Sequence, residues 1–144
     1  MKKIIVLLMA NLFVCGLLFV QSCGKKDPSP TEQASAILTS GFWKMKTVLV
    51  DGVDQTNIYK GLTITFTSSA YTTTNGGQVW PASGTWIFSD NTGKAIIRSD
   101  GLPISIPSST DNNTLILKLS WAKTTFGPGR ASSLKGENVF TFGK

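Results

Sequence analysis

From Phe42 to the C-terminus, large apolar residues recur at every second position in short runs, the period of half-buried β-strands. Leu62-Thr63-Ile64-Thr65-Phe66-Thr67 sets one apolar residue against one threonine throughout. Thr114 to Trp121 places Leu115, Leu117, Leu119 and Trp121 on one face, with Lys118 and Ser120 opposite and Ile116 as the exception. Gly84-Thr85-Trp86-Ile87-Phe88 puts Trp86 and Phe88 together, and Trp43, Met45, Thr47 and Leu49 share a face with Lys44 and Lys46 outward. Weaker runs cover Ala70 to Thr74, Lys94 to Ser99, Pro103 to Ile106 and Val139 to Phe142.

Turn chemistry separates these runs: Asp51-Gly52, Ser68-Ser69, Asn75-Gly76-Gly77, Asp90-Asn91-Thr92-Gly93, Asp100-Gly101 and Asp111-Asn112-Asn113. Most of the links are short enough to force antiparallel neighbours. About eight strands in hairpin succession, with no helical pattern between them, predict an all-β chain. The expected architecture is a small antiparallel up-and-down β-barrel, with a β-sandwich as the alternative. One short helix is expected before the strands. Ser29-Pro30-Thr31-Glu32 has the form of a capping box, Ala34, Ile37 and Leu38 make one apolar stripe, and Gly41 ends it. Its expected role is to brace one end of the domain.

The N-terminus reads differently. Met1-Lys2-Lys3 is a basic start, and Ile4 to Val20 is an almost unbroken apolar run, the layout of an export signal. At about 17 residues, with Asn11 and Gly16 inside, the run falls short of the ~20 that a spanning helix needs. Val20-Gln21-Ser22-Cys23 then resembles the lipobox of bacterial lipoproteins, with a Gln at the second position where a small residue is more usual. The resemblance implies cleavage before Cys23 and a diacylglycerol on its thiol, with the new amine acylated as well, by chains such as palmitate. An ordinary secreted protein and an uncleaved anchor are the alternatives. The expected organisation is a signal peptide over 1–22, a lipidated cysteine and tether over 23–29, and one β-domain over 30–144. Cys15 lies inside the discarded run, so no disulfide is expected in the domain.

From about Leu38 onward the chain resembles the lipocalin-like domains found on many small bacterial lipoproteins. The resemblance rests on Gly41-Phe42-Trp43, similar to the Gly-x-Trp that opens the first lipocalin strand, and on Val50-Asp51-Gly52. It continues through Leu62 to Phe66, Gly84-Thr85-Trp86, Leu115 to Leu119, and Phe140-Thr141-Phe142. The family's later Arg, which packs on the first-strand Trp, has no clear counterpart; Arg130, in a glycine- and proline-containing loop, is a remote candidate. The resemblance implies a cup that either fills itself with side chains or holds one small apolar molecule. Trp43 and Trp86 are expected to pack the barrel floor, although Trp86 is also a candidate ligand contact. Trp80, in a stretch broken by Pro81, is placed near a rim, where an exposed indole stacks on a ligand or a sugar or, more simply, covers the core. Tyr71 and the long loop from Lys123 to Gly136 are similar candidates.

The catalytic inventory is thin. The chain has no histidine, and its thiols are Cys15 and Cys23, which removes Ser-His and Cys-His pairs and His-based metal sites. Most acids sit in tether, helix-start or turn positions where carboxylates cap backbone amides. Neither Asp90-Asn91-Thr92 nor Asp111-Asn112-Asn113 completes a calcium loop. The expectation is therefore no enzyme, no metal and no cofactor. The net charge of +6, two units of which come from Lys2 and Lys3, is scattered and gives no support for nucleic-acid binding. Lys25-Lys26 favours anionic lipid head groups beside the anchor.

Three functions remain open: a lipid-anchored binding module for a small apolar or amphipathic ligand, an interaction or assembly component of the envelope, and a carbohydrate-contacting surface protein that needs Trp80 and Tyr71 on one exposed platform. The first leads by analogy of fold. The expected partner is a membrane, through the N-terminal lipid. Gly24 after the cysteine, in place of Asp, points to the outer membrane, with the periplasmic and surface faces both open.

Overall fold

A computed structural model describes residues 26–123 and 134–144. Its strands are β1 (Phe42–Val50), β2 (Val53–Asp54), β3 (Thr63–Phe66), β4 (Ala70–Thr74), β5 (Ser83–Phe88), β6 (Ala95–Arg98), β7 (Pro103–Ser105), β8 (Thr114–Trp121) and β9 (Gly136–Gly143). The sheet runs β2-β1-β3-β4-β5-β6-β7-β8-β9, and β1 also pairs with β9. That last pairing closes eight antiparallel strands into a barrel and leaves β2 as an extra strand beside the far end of β1. The closed, up-and-down order is the expected one, and the sandwich alternative falls away. The signal segment and Cys23 lie outside the described residues, as do Arg130 and most of the loop from Lys123 to Gly136.

Alternation places the core. Along β3 and β8 the large apolar residues point inward as the sequence predicts: Ile64, Phe66, Leu115, Leu117, Leu119 and Trp121 are all buried. The β1 reading needs correction. Trp43 and Met45 face inward, but the pairing with β9 jumps from Met45↔Phe142 to Thr47↔Thr141, so Lys46 is an extra residue in a β-bulge. The bulge reverses the parity beyond it. Val48 and Val50 are buried, whereas Thr47 is exposed and Leu49 lies at the surface, 36% exposed.

The Asp51-Gly52 link adopts positive φ at both residues, 48° and 80°, the geometry of a tight hairpin turn that matches strand twist. Seam strength varies around the barrel. β8 and β9 pair from Thr114↔Gly143 to Trp121↔Gly136, whereas β7 meets β8 at Ser105↔Lys118 alone.

The predicted helix, α1 (Pro30–Leu38), is present. Glu32 N–H donates to Ser29 Oγ at 3.2 Å and Ser29 N–H to Glu32 Oε2 at 2.6 Å, a complete capping box. α1 seals the end of the barrel where β1 begins. Leu38 is fully buried, and its carbonyl accepts a hydrogen bond from the Trp43 indole N–H at 2.9 Å. Lys144 Nζ lies 5.2 Å from the centre of the Trp43 ring, so a lysine takes the place over the first-strand Trp that the resemblance assigns to an arginine. Gly93 backs against α1: a Cβ there would meet the Pro30 carbonyl oxygen at 2.5 Å.

Trp43→Phe keeps an aromatic ring at the site but deletes the N–H donor, stranding a buried carbonyl, and removes the volume of the indole's second ring. A loss of about 1–3 kcal/mol in unfolding free energy is expected, read from urea denaturation followed by circular dichroism.

Candidate functional site

The end opposite α1 is where a cup-shaped barrel would open, and here it is covered by the chain itself. Among the described residues the cover includes a short 3-10 turn, Thr56–Tyr59, the β4–β5 connection, residues 75–82, and the buried Leu134 before β9. Tyr59, Val79 and Trp80 are each at most 1% exposed. Aromatic rings run from the closed floor to this cover. Trp86 meets Phe66 edge-on at 6.0 Å, Phe66 meets Tyr71 at 6.2 Å, Tyr71 meets Trp80 at 5.8 Å, and Trp80 meets Phe140 at 5.8 Å. All but the tilted Phe66–Tyr71 pair are edge-to-face, contacts that add about 0.5–1.5 kcal/mol each beyond area burial.

The candidate ligand residues therefore stand as follows. Trp86 is 3% exposed and packs the floor; its indole N–H reaches the carbonyls of Thr67 and Ala70 at 3.2 and 3.1 Å. Tyr71 is 2% exposed and lies across Gly84 of the neighbouring strand, where a Cβ would sit 2.6 Å from its hydroxyl. Trp80 belongs to the rim loop as expected, but its ring turns inward and is 1% exposed. Tyr71 and Trp80 do touch, yet neither presents a face to solvent, so they form no exposed sugar platform. The apolar neighbours available in the core outweigh the pull of water on a large ring.

Arg98, which the sequence reading did not single out, organises this end. It is 2% exposed and is the one buried charged residue among those described. Its Nε and Nη2 hydrogen-bond the two carboxylate oxygens of Asp100, and its Nη1 donates to the Val79 carbonyl at 2.6 Å. The guanidinium carbon also lies 5.3 Å from the Trp80 ring centre. A bidentate ion pair with a third bond to a carbonyl is the arrangement that makes a buried Arg tolerable. A signal existed: Arg98 shares the parity of inward Ile96 in a strand otherwise built from Ala and Ile, so it had to point into the barrel.

Polar atoms at this end are incompletely matched. Trp80 Nε1, Trp121 Nε1 and Asn138 Oδ1 are buried without a hydrogen-bond partner among the described residues. Each such atom costs about 1–3 kcal/mol relative to a satisfied one. Outside the barrel, two shallow clefts of about 270 and 230 Å³ share Pro103 and Ser120 along the weak β7–β8 seam. Ile87, 67% exposed, is opposite Ile97, which is opposite Pro103, making an apolar row toward that seam.

Six of the eight described side-chain carboxylates are occupied with the backbone. Glu32, Asp51, Asp54, Asp90, Asp100 and Asp111 each accept from a main-chain N–H. Asp90 and Asp111 sit in the two runs considered for calcium, and no group of three metal-ligating side chains occurs among the described residues. No family model matches this chain, and none of the curated proteins is significantly similar to it.

Hydrogen bonding from Arg98 is the main reason the Asp100 carboxyl is held below its ordinary value, against partial burial that raises it. A carboxylate depressed in the folded state contributes fully above its unfolded pKa of about 3.9 and loses that contribution as pH falls through the folded value. Asp100→Asn should lower the urea midpoint at neutral pH. The gap from wild type should narrow as pH is lowered toward ~3. Glu32, Asp54, Asp90 and Asp111 shift in the same direction, so the variant retains some acid sensitivity.

Proposed function

We propose that the protein is a lipid-anchored, non-enzymatic binding module of the cell envelope, tethered through Cys23, whose lipocalin-like barrel takes up a small apolar or amphipathic molecule. The observation that carries this reading is the difference between the barrel's two ends. The α1 end is fixed by a fully buried leucine and an indole-to-carbonyl hydrogen bond, whereas the other is covered by a loop whose inserted Trp80 indole N–H has no partner among the described residues. A barrel built only for stability has no need of one end sealed by a poorly satisfied ring. The lipobox-like Val20-Gln21-Ser22-Cys23 supports the anchor, and the residue after it favours the outer membrane. An envelope-interaction role is the second reading, favoured by the apolar Ile87–Ile97–Pro103 row, exposed at Ile87 and Pro103, beside the seam clefts.

Two measurements bear on this. Cells fed an alkyne analogue of palmitate should label the wild-type chain and not Cys23→Ser; equal labelling of both would sink the anchor. Native mass spectrometry of the full chain from envelope extract should reveal an added mass that is lost on denaturation. A bare polypeptide that takes up none of a panel of fatty acids and apolar dyes would favour the interaction reading.

A further inference from the structure

Resting on the barrel as a binding compartment, we infer that Val79 and Trp80 occupy its ligand subsite, and that the molecule displacing them is a flat apolar ring system bearing a neutral carbonyl. The pair presents two recognisable parts. The Val79 carbonyl accepts from Arg98 Nη1 at 2.6 Å, and the adjoining indole fills a slot bounded by Tyr71, Phe140 and the Arg98 guanidinium. An acceptor next to a flat ring is what a ligand must supply to replace them.

The charge of the acceptor follows from Arg98. Asp100 already engages Nε and Nη2 and balances the cation, so Nη1 is the nitrogen facing the loop. A second carboxylate there would lie beside Asp100 and repel it, whereas a neutral oxygen takes the place of the carbonyl without added charge. The loop has the form of a preshaped unit. Trp80 N–H bonds the Gly76 carbonyl at 3.1 Å, and Thr73 Oγ1 holds the Pro81 carbonyl at 2.8 Å. Asn75 and Gly77, at φ 56° and 62°, are turning points at its start. A Cβ on Gly76 would meet the Trp80 carbonyl oxygen at 2.2 Å, so the fold of the loop depends on that glycine. The indole Nε1–H of Trp80, unlike its backbone N–H, finds no partner among the described residues, which marks the ring as an imperfect occupant of its own slot.

The test uses the full chain in detergent with three probes: prodan, a naphthalene with a neutral carbonyl; naphthalene itself; and dodecanoate. Native mass spectrometry reads binding, and hydrogen exchange reads the amides of residues 75–82. Prodan is expected to bind one per chain, at least about ten-fold tighter than naphthalene, and to speed exchange at Val79 and Trp80 at least about ten-fold. Trp80→Ala, which removes the competing ring, should tighten prodan at least about ten-fold, and Trp80→Phe serves if the alanine variant fails to fold. Arg98→Lys in either background should erase the preference for prodan over naphthalene. Loop opening by dodecanoate in preference to prodan would overturn the ligand class and leave the binding compartment standing. Prodan binding with unchanged loop exchange would place the site elsewhere. No uptake of any probe by wild type or variants would remove both the subsite and the reading beneath it.

Discussion

Closure of β1 against β9 is the constraint from which the rest of the molecule follows. An open sheet of eight strands would carry two bare edges, and joining them leaves every strand except β2 with a neighbour on both sides. The price is curvature, met by the bulge at Lys46, which bends β1 and increases its twist between Met45 and Thr47. Inward parity then switches from Trp43 and Met45 to Val48 and Val50. The first half of β1 serves the floor under α1, and the second half serves the covered end. Without the extra residue, Leu49 would point inward and the turn at Asp51-Gly52 would start from the opposite face.

A barrel of this circumference has room for side chains or for one small ligand. In this chain the room is taken by rings. Trp86, Phe66, Tyr71, Trp80 and Phe140 form a continuous series from floor to cover, and the last large contributor, Trp80, comes from a connection and not from a strand. Strand residues cannot leave without breaking ladders, whereas a connection swings with the loss of a few hydrogen bonds. Arg98 ties that connection down through one carbonyl and is itself tied to a half-exposed carboxylate. The interior is thus closed by a short chain of polar contacts whose outermost member touches water.

Much of the fold was legible because strand alternation and turn chemistry are local signals. β3, β8, the capping box of α1 and the Asp51-Gly52 turn all stand where the sequence places them. The far half of β1 was misread because a bulge inserts a residue without interrupting composition: Lys44 and Lys46 both suit an outer face, so nothing in the run marks the change of parity. At the candidate site, Pro81 correctly put Trp80 in a connection, but a local pattern carries no information about which way a loop folds over a barrel 3-dimensionally distant in sequence. Arg98 was the opposite case. Its inward parity was readable, but the partners that make its burial tolerable, Val79 and Asp100, are fixed only by tertiary structure.

The place where α1 enters the domain has a directional consequence. Residues 26–29 lead into the helix that closes the barrel floor, and Pro30 packs beside the turn at Gly93 on that same end. A chain held by its N-terminus therefore stands on its sealed base, like a bottle on a shelf. Residues 75–82 cover the opposite end of the barrel, so a chain held in that way would turn that end toward the aqueous side.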